Sequence, residues 1–595
     1  MNRNKTVSLC MIVKNEEKYL VKCLESVKEL VDEMIIVDTG SIDSTVDIAK
    51  KFGAKILHYT WDNNFSNARN FSLKYASKDW ILLMDGDDEF AKEDYSKFIQ
   101  LVNTSSKDAH YFKTLSYAGK IKNNNIITNL NLRLLKNNKK YKFRGAIHEQ
   151  ITPIEGKMDY NNCSSEDIKI YHYGYLTDVA KDKNKRKRNI TIIEKALEND
   201  PHNPFHIFNL GNEYYAMDKK EKALELYNKV YAKVVTTSGY YSKLIIRRIM
   251  CLDELGRYSD ALQGIEEGLK IYEKFVDLEL IRGWIYMKLK RFTLAIDAFN
   301  SCLKIVSPPI ELEFINGANT VRPLQALGDI YYQFEDYEKA YSYYEKMLTY
   351  AYNIELPMSK IASILNKQYE NKQFVTYKLT SYINLEYLPN LLLISKLLIN
   401  EGLYDLALGY LEKAKEMEPN NYSILFLLGK TLFYQKKYKE ALNIMSSLTE
   451  YNDITIDALK YIFIIRLIQQ SNNIRNILDK IKDVSTETVY SIYNQLYNIY
   501  IGKETLCIKS EDSKEILSYT LIIFEELLKV QEFELFETLL EILNMIESRY
   551  VLLYLAKLYY KTGFKKMAVK EVLRSIKELD AFDLFGAEIL YREIG

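Results

Sequence analysis

The chain has 595 residues, and its 81 basic and 80 acidic side chains leave a net charge of +1. It is too long for one hydrophobic core, so roughly two to four domains are expected, and it offers no global field for nucleic acid or an anionic membrane surface. Six scattered cysteines (Cys10, Cys23, Cys163, Cys251, Cys302, Cys507) without a CxxC pair argue against a disulfide framework or zinc site and fit a reduced, cytoplasmic protein.

Residues 1–5 are polar and lead into a strand, so no signal peptide is expected. No apolar run reaches ~18 residues, so no membrane span is expected either. Val7 to Val13 reads as a buried strand. Lys14-Asn15-Glu16-Glu17 is expected to open a helix, with Leu20, Cys23, Leu24, Val27 and Leu30 at helical spacing. Met34 to Val37 is a second strand ending at Asp38, Thr45 to Phe52 a short helix, and Lys55 to Tyr59 a third strand. Phe65 to Ala76 is helical and Trp80 to Met84 is the fourth strand. Strands alternating with helices predict a parallel sheet covered on both faces. His110 to Tyr117 and Asn129 to Lys136 are more polar, and are expected at a sheet edge or in a small second sheet.

The pattern changes at the basic run Lys181-Asp182-Lys183-Asn184-Lys185-Arg186-Lys187-Arg188. Without interleaved aromatics, a solvated helix face or hinge is favoured over a nucleic-acid patch. Beyond about residue 190 helical periodicity takes over. Gly211, Gly283 and Gly328 are each followed three residues later by Tyr, twelve later by Ala, and sixteen later by Tyr227, Phe299 or Tyr344. Gly429 and Ala441 keep the spacing, and Ala407 to Ala441 is 34 residues. Small residues let paired helices approach, and the ring fills the space between them. The period fails between Ala295 and Ala340, which lie 45 apart, and residues 351–385 and 450–545 are degenerate. An array interrupted or divided into two parts is expected. These units resemble tetratricopeptide repeats, which stack into a superhelix with a concave groove.

Chemistry concentrates at Ile81-Leu82-Leu83-Met84-Asp85-Gly86-Asp87-Asp88-Glu89. An apolar strand empties acids beyond its carboxyl end, where ligands bind in open α/β sheets. Crowded carboxylates suit a hard divalent cation carrying a nucleotide diphosphate; the competing reading is an acidic turn with Asp as helix cap. Asp38 ends a buried strand, where its carboxylate can accept a ligand N–H or serve only as a helix cap or turn residue. Asp43 and Thr45 are expected to cap the next helix. Arg69 is placed to hold either a phosphate or a carboxylate of the acidic cluster, and Asn70 is expected to be structural.

Several separated motifs carry a resemblance to a family. They are Cys10 to Glu17; Val37-Asp38-Thr39-Gly40-Ser41-x-Asp43-Ser44-Thr45; Trp61 to Asn70; Met84 to Glu89; Arg144-Gly145-Ala146-Ile147-His148-Glu149; and His172-Tyr173-Gly174-Tyr175. In this order they resemble family 2 glycosyltransferases of the GT-A fold joined to tetratricopeptide repeats, a group that includes peptide S-glycosyltransferases of the sublancin type and flagellin glycosyltransferases. The resemblance implies an α/β GT-A (nucleotide-diphospho-sugar transferase) domain at 1–180, tetratricopeptide-like repeats at 181–350 and further, partly degenerate helical repeats at 351–595. It implies an inverting enzyme that moves N-acetylglucosamine or a hexose from a UDP-sugar to Ser, Thr or Cys of a protein or peptide, such as flagellin or a bacteriocin. The expected cofactor is Mn²⁺ or Mg²⁺, held by Asp87 with Asp85 and His172. Asp85 is alternatively a ribose contact, and His172 a diphosphate ligand or a structural hydrogen-bonding residue. Asp38, Arg69, Asp85 and Gly86 are expected to bind the nucleotide sugar, with Gly86 avoiding a clash with the nucleotide. Glu149 is the candidate general base, His148 orients it or touches the sugar, and Asp88 is the alternative base. The repeats are expected to grip the acceptor, and a homodimer through them is a further expectation. A repeat scaffold that binds nucleotide without transferring sugar is the competing reading.

Overall fold

The computed structural model describes residues 3–594 apart from 118–125, 157–158, 175–178, 235–237, 352, 452–453, 472 and 504–512. Tyr175 and Cys507 therefore lie outside the described residues. Two compact units are present, residues 1–352 and 353–595. The expected boundary after residue 180 falls inside the first.

The first unit begins with an α/β region. Its strands are β1 (Val7–Val13), β2 (Glu33–Asp38), β3 (Lys55–His58), β4 (Trp80–Leu83), β5 (Asp88–Phe90), β6 (Ala109–Tyr117), β7 (Ile126–Lys136), β8 (Tyr141–Arg144), β9 (Gln150–Pro153) and β10 (Cys163–His172). Four helices are interleaved: α1 (Leu20–Val27), α2 (Thr45–Lys51), α3 (Phe65–Leu73) and α4 (Tyr95–Thr104). Eight strands form one sheet in the order β3-β2-β1-β4-β7-β6-β10-β5, and β8 and β9 form a separate hairpin. β3, β2, β1 and β4 are mutually parallel, whereas β7 runs antiparallel to both β4 and β6. Alternation along β1 sends Val7, Leu9, Met11 and Val13 to one face, against α1 and α4. Cys10 goes to the other face with Ile35, Ile81 and Leu83.

Three expectations are corrected. β6 and β7 are interior strands, not an edge or a second sheet. Their polar residues mislead because Asn131 and Arg133 turn inward to share Thr114 Oγ1, at 3.1 and 3.4 Å. The sheet is mixed rather than parallel. Finally, α1 starts at Leu20, because Asn15 has φ +56° and residues 14–19 form a turn before the helix.

Helices continue through the rest of the unit: α5 (Val179–Asn199), α6 (Pro204–Ala216), α7 (Lys220–Tyr231), α8 (Tyr241–Glu254), α9 (Tyr258–Ile271), α10 (Val276–Lys288), α11 (Phe292–Lys304), α12 (Val321–Gln333) and α13 (Tyr337–Leu348). The repeat spacing has a direct steric cause. A Cβ on Gly211, Gly283 or Gly328 would sit 2.6, 2.4 or 2.7 Å from the ring of Tyr227, Phe299 or Tyr344. Gly283→Ala is therefore expected to cost about 1–3 kcal/mol through overpacking. Thermal melting reads this loss, and an unchanged midpoint would show that α10 and α11 separate freely.

The long interval from Ala295 to Ala340 holds a segment that attaches the repeats to the sheet. Thr128 N–H donates to Phe314 O at 2.9 Å, Ile127 bridges Ile315, and Lys113 Nζ pairs with Glu313 at 2.7 Å. Asp277, with no exposed surface, accepts backbone N–H groups of Phe314 and Ile315 through Oδ1. Burial pushes its carboxyl up to about 8, against the lowering effect of those donors. In the unfolded chain it loses its proton near 3.9, so from there to about 8 the native state binds more protons and stability falls as pH rises. Asp277→Asn keeps the Oδ1 acceptor and removes the titration. It is expected to melt above the wild type at pH 8 by a margin that shrinks towards pH 4; an equal margin at both pH values would show that Asp277 does not titrate in this range.

The second unit is helical from Glu355–Gln368 to Leu584–Ile594. Helix pairs continue where the small-residue signature lapses, as in Thr455–Ile468 and Ile474–Val484. There the packing rests on larger groups: buried Tyr461 places its hydroxyl 3.1 Å from Glu526. At Gly429 the repeat spacing survives, with Met445 in place of the ring; a Cβ would sit 2.9 Å from Met445 Cε. Among the described residues no helix is long and apolar enough to cross a membrane.

Candidate active site

Strand order reverses around β1: β2 and β3 lie to one side and β4 to the other. This is the topological switch point, where carboxyl ends of neighbouring strands diverge and leave a crevice. β1 delivers Glu16 there, β2 Asp38, and β4 the run Asp85-Gly86-Asp87-Asp88. β10 returns antiparallel to β5 with His172 opposite Asp88, which explains how residues 84 apart in sequence become partners.

Asp88 is buried with both oxygens occupied. Oδ1 lies 2.9 Å from His172 Nδ1, while Oδ2 accepts from the Asp85 backbone N–H at 2.8 Å and pairs with Arg133 Nη1 at 3.0 Å. Asp85 is gripped by Arg69 Nη2 at 2.6 Å and approached by Arg133 Nη1 at 3.5 Å. Burial alone would raise the Asp85 carboxyl, but Arg69 and Arg133 hold it well below the usual range. Asp87 lies 3.4 Å from His172 Nδ1. Burial raises its carboxyl, His172 opposes this, and Asp88 and Asp85 add to the rise. Glu16 is pushed up to about 8 by burial and then by Asp87 and Asp85. His172 resists the desolvation that would lower it; Asp88, Asp87 and Asp85 carry it up to about 9.

Ligand atoms of Asp85, Asp88 and His172 lie within 4.8 Å of one another. That grouping exchanges Asp88 for the expected Asp87. A carboxylate that fixes one imidazole nitrogen and orients the other is the usual support for a metal-ligating histidine, and Asp88 stands in that position. A Cβ on Gly174 would sit 2.2 Å from Asp87 Oδ2 and 2.9 Å from His172 Nε2, so these atoms converge on one small space that only glycine leaves open. Tyr173 locks the segment: its N–H donates to Asp87 O at 3.0 Å, and its ring stacks on Tyr117 and Tyr19. A carboxylate-rich set with one imidazole fits Mn²⁺ or Mg²⁺.

The opposite wall is the turn between β8 and β9. Gly145 has φ +99° and His148 φ +50°, a backbone that swings Glu149 toward α3. Arg69 Nε meets Glu149 Oε1 at 2.5 Å, so one guanidinium bridges Asp85 and Glu149. Of the two expected partners for Arg69, the structure shows the carboxylates. Asn70 is structural: it accepts from Phe143 N–H at 2.8 Å and donates to Phe143 O at 2.9 Å. Asp43 Oδ1 accepts the Thr45 N–H at 3.0 Å, but the N-cap position of α2 is Ser44, whose side chain makes no capping bond, and Thr45 Oγ1 instead accepts the Glu16 N–H at 2.7 Å.

Asp38 is buried and accepts N–H groups of Ser41 at 3.0 Å and Gly40 at 3.3 Å, with His58 Nδ1 at 3.4 Å. Burial works to raise its carboxyl, but these donors outweigh it and hold the group below its ordinary value. Gly86 has an intramolecular reason to lack a side chain, since a Cβ would meet Glu16 Cγ at 2.9 Å.

Sequence reasoning missed two contributors. Arg133 is buried beneath the acids, and its signal was one cation inside the apolar alternation of β7. The basic run is the other. It lies on α5, where Lys185 acts electrostatically on Glu16 and Asp87, Arg186 Nη1 pairs with buried Glu213 at 3.1 Å, and Arg188 lies over the Phe65 ring. The expected helix face is present, with Lys185, Lys187 and Arg188 exposed and Arg186 turned inward.

The Glycosyl transferase family 2 model matches residues 8–155, and tetratricopeptide-repeat models match residues 280–305 and 324–356. A model for anaphase-promoting complex subunit 3 matches residues 365–448. The SPbeta prophage-derived glycosyltransferase SunS of Bacillus subtilis (strain 168) is 29% identical over 293 residues, covering 47% of this chain and 67% of that protein. A TPR repeat-containing protein of Synechococcus elongatus is 32% identical over 211 residues, covering 34% of this chain and 51% of that one. Among solved structures, glucosyl-3-phosphoglycerate synthase of Mycobacterium tuberculosis aligns at 23% identity and TM-score 0.17, over 20% of this chain and 45% of its own. Residues 8–155 are a family 2 glycosyltransferase domain, followed by tetratricopeptide-like helical repeats.

Proposed function

We propose that this glycosyltransferase, a family 2 domain joined to tetratricopeptide repeats, inverts the anomeric carbon of a UDP-sugar as it moves the sugar to a Ser, Thr or Cys side chain of a protein or peptide. The donor is UDP-N-acetylglucosamine or a UDP-hexose, and the acceptor is of the flagellin or bacteriocin kind. The observation that carries this reading is one cleft. It has an acidic cluster at the ends of β1 and β4, the carboxylate Glu149 across from it, and repeat helices against the turn bearing that carboxylate.

Each residue has a chemical part in this reading. Asp38 receives the uracil N–H; a carboxylate oxygen that already accepts one N–H has capacity for another. Arg69 fixes Asp85 and Glu149 relative to each other. Asp88 orients His172. Asp85, Asp87 and His172 would hold a divalent cation, whose charge would neutralise the departing diphosphate. The acceptor oxygen or sulfur forms a bond to the anomeric carbon as the bond to phosphate oxygen breaks, and UDP leaves with the electron pair. Glu149 takes the acceptor proton as general base. Asp88 is less suited to that part, because both of its oxygens are engaged. Lys185 adds positive potential over the same cleft.

UDP release from UDP-glucose and UDP-N-acetylglucosamine, with and without Mn²⁺, tests the donor half. Release that depends on Mn²⁺ and is stimulated by a Ser-, Thr- or Cys-containing peptide is expected. Release indifferent to both metal and peptide would overturn this reading.

A further inference from the structure

We propose that Glu213, on the first repeat helix pair, is a positioning residue for transfer: it holds His148 and thereby sets the turn that presents Glu149. This rests on the reading of Glu149 as general base. Glu213 lies on α6, outside every motif of the transferase domain, and is 1% exposed. Its Oε1 accepts from Asn189 Nδ2 at 3.0 Å and its Oε2 pairs with Arg186 Nη1 at 3.1 Å, while Oε1 faces the buried His148 Nε2 at 3.6 Å, an ion-pair distance to a nitrogen that has no hydrogen-bond partner among the described residues. A carboxylate buried this deeply in a helix bundle is costly unless paired. Burial tends to raise Glu213, but His148, Arg186 and Asn189 outweigh it and keep the group ionised.

The geometry of the turn gives this contact its reach. His148 occupies the left-handed region, with φ +50°, which a β-carbon-bearing residue adopts only when its surroundings hold it there. Ile147 beside it is packed into the repeat core with Ile193, Phe208 and Tyr214. From the other side, α3 fixes the same turn: Phe65 N–H donates to Ala146 O at 2.9 Å, Ser66 Oγ donates to Gly145 O at 2.5 Å, and Arg69 grips Glu149. Residues 145–149 are thus clamped between a donor-side helix and the repeats. Loosening the repeat side frees His148 to leave its strained conformation and carries Glu149 with it.

The test uses the full chain with Glu213→Ala, Glu213→Gln, His148→Ala and the Glu213→Ala/His148→Ala pair. UDP with Mn²⁺ is the binding probe, and UDP-glucose and UDP-N-acetylglucosamine are the turnover probes. Glu213→Ala should keep the Kd for UDP within about threefold and lower kcat by about tenfold or more, with Glu213→Gln in between. The double variant should be no slower than the slower single variant, because coupled residues are non-additive. Hydrogen exchange at residues 146–149 should quicken about tenfold or more in Glu213→Ala while amides of β1 and β4 stay unchanged. Independent, multiplying losses, or unaltered exchange at 146–149, would overturn the proposal. If the wild type turns over neither sugar, the donor reading fails, and the exchange measurement still decides the role of Glu213.

Discussion

Asp87→Asn is expected to lower sugar transfer by about 10²-fold or more while the protein remains folded. The substitution keeps the shape of the side chain against Gly174, where there is no spare room. It removes one negative charge from a cluster that would hold a divalent cation. Weakening such a site by roughly 3 kcal/mol corresponds to about 10²-fold in rate. Stability should not fall with activity. Burial and the neighbouring Asp88 and Asp85 already disfavour the charged form of Asp87, so neutralising it relieves repulsion, and the variant should melt at or above the wild-type temperature. Transfer rates at limiting and saturating Mn²⁺, together with a melting curve, check both halves. A near-wild-type rate at limiting Mn²⁺ would exclude Asp87 as an essential ligand. A collapsed melting temperature would assign it a structural part instead.

Glu149→Gln separates binding from chemistry. The amide oxygen still accepts from Arg69 Nε, so the bridge to Asp85 persists in weakened form, but the group no longer takes a proton. Turnover should fall about 10²-fold or more, the scale of a general base, while UDP binds nearly as before. Calorimetry with UDP and Mn²⁺, run beside a UDP-release assay, reads the two effects. An unchanged rate would remove Glu149 from the chemistry. The alternative carboxylate, Asp88, would then have to act despite having both oxygens engaged by His172, Arg133 and the Asp85 backbone.

Much of this organisation is legible in the sequence because it is written in local patterns. β1, β2 and β4 are apolar runs that end at polar residues, and the Gly-to-ring interval of sixteen residues records a close approach within each helix pair. The inward turn of Arg133 is not local. An arginine on a strand reads as solvent-facing until the acids it neutralises, about 50 positions earlier, are folded against it. β10 escaped notice for a related reason. Its first half, Cys163-Ser164-Ser165-Glu166, carries no apolar alternation, and a register shift between Glu166 and Lys169 breaks the pattern further. The basic run on α5 misled in the opposite direction at one residue. Its charge suggested water, but Arg186 turns inward to Glu213, which lies on the following helix and has no motif to announce it. The interval from Ala295 to Ala340 looked like a lapse in the repeat. Folded, it is the segment that joins the repeats to β7, and that contact depends on a loop meeting a strand far from it in sequence.

Intact-mass measurement of a candidate acceptor bears most directly on the central claim. Flagellin or a bacteriocin precursor would be co-expressed with the wild-type chain and, in parallel, with Asp87→Asn. The account predicts mass increments equal to whole hexose or N-acetylhexosamine residues with the wild type, located on Ser, Thr or Cys, and none with the variant. An acceptor that stays unmodified while the purified enzyme transfers sugar to a lipid or a free saccharide would contradict it.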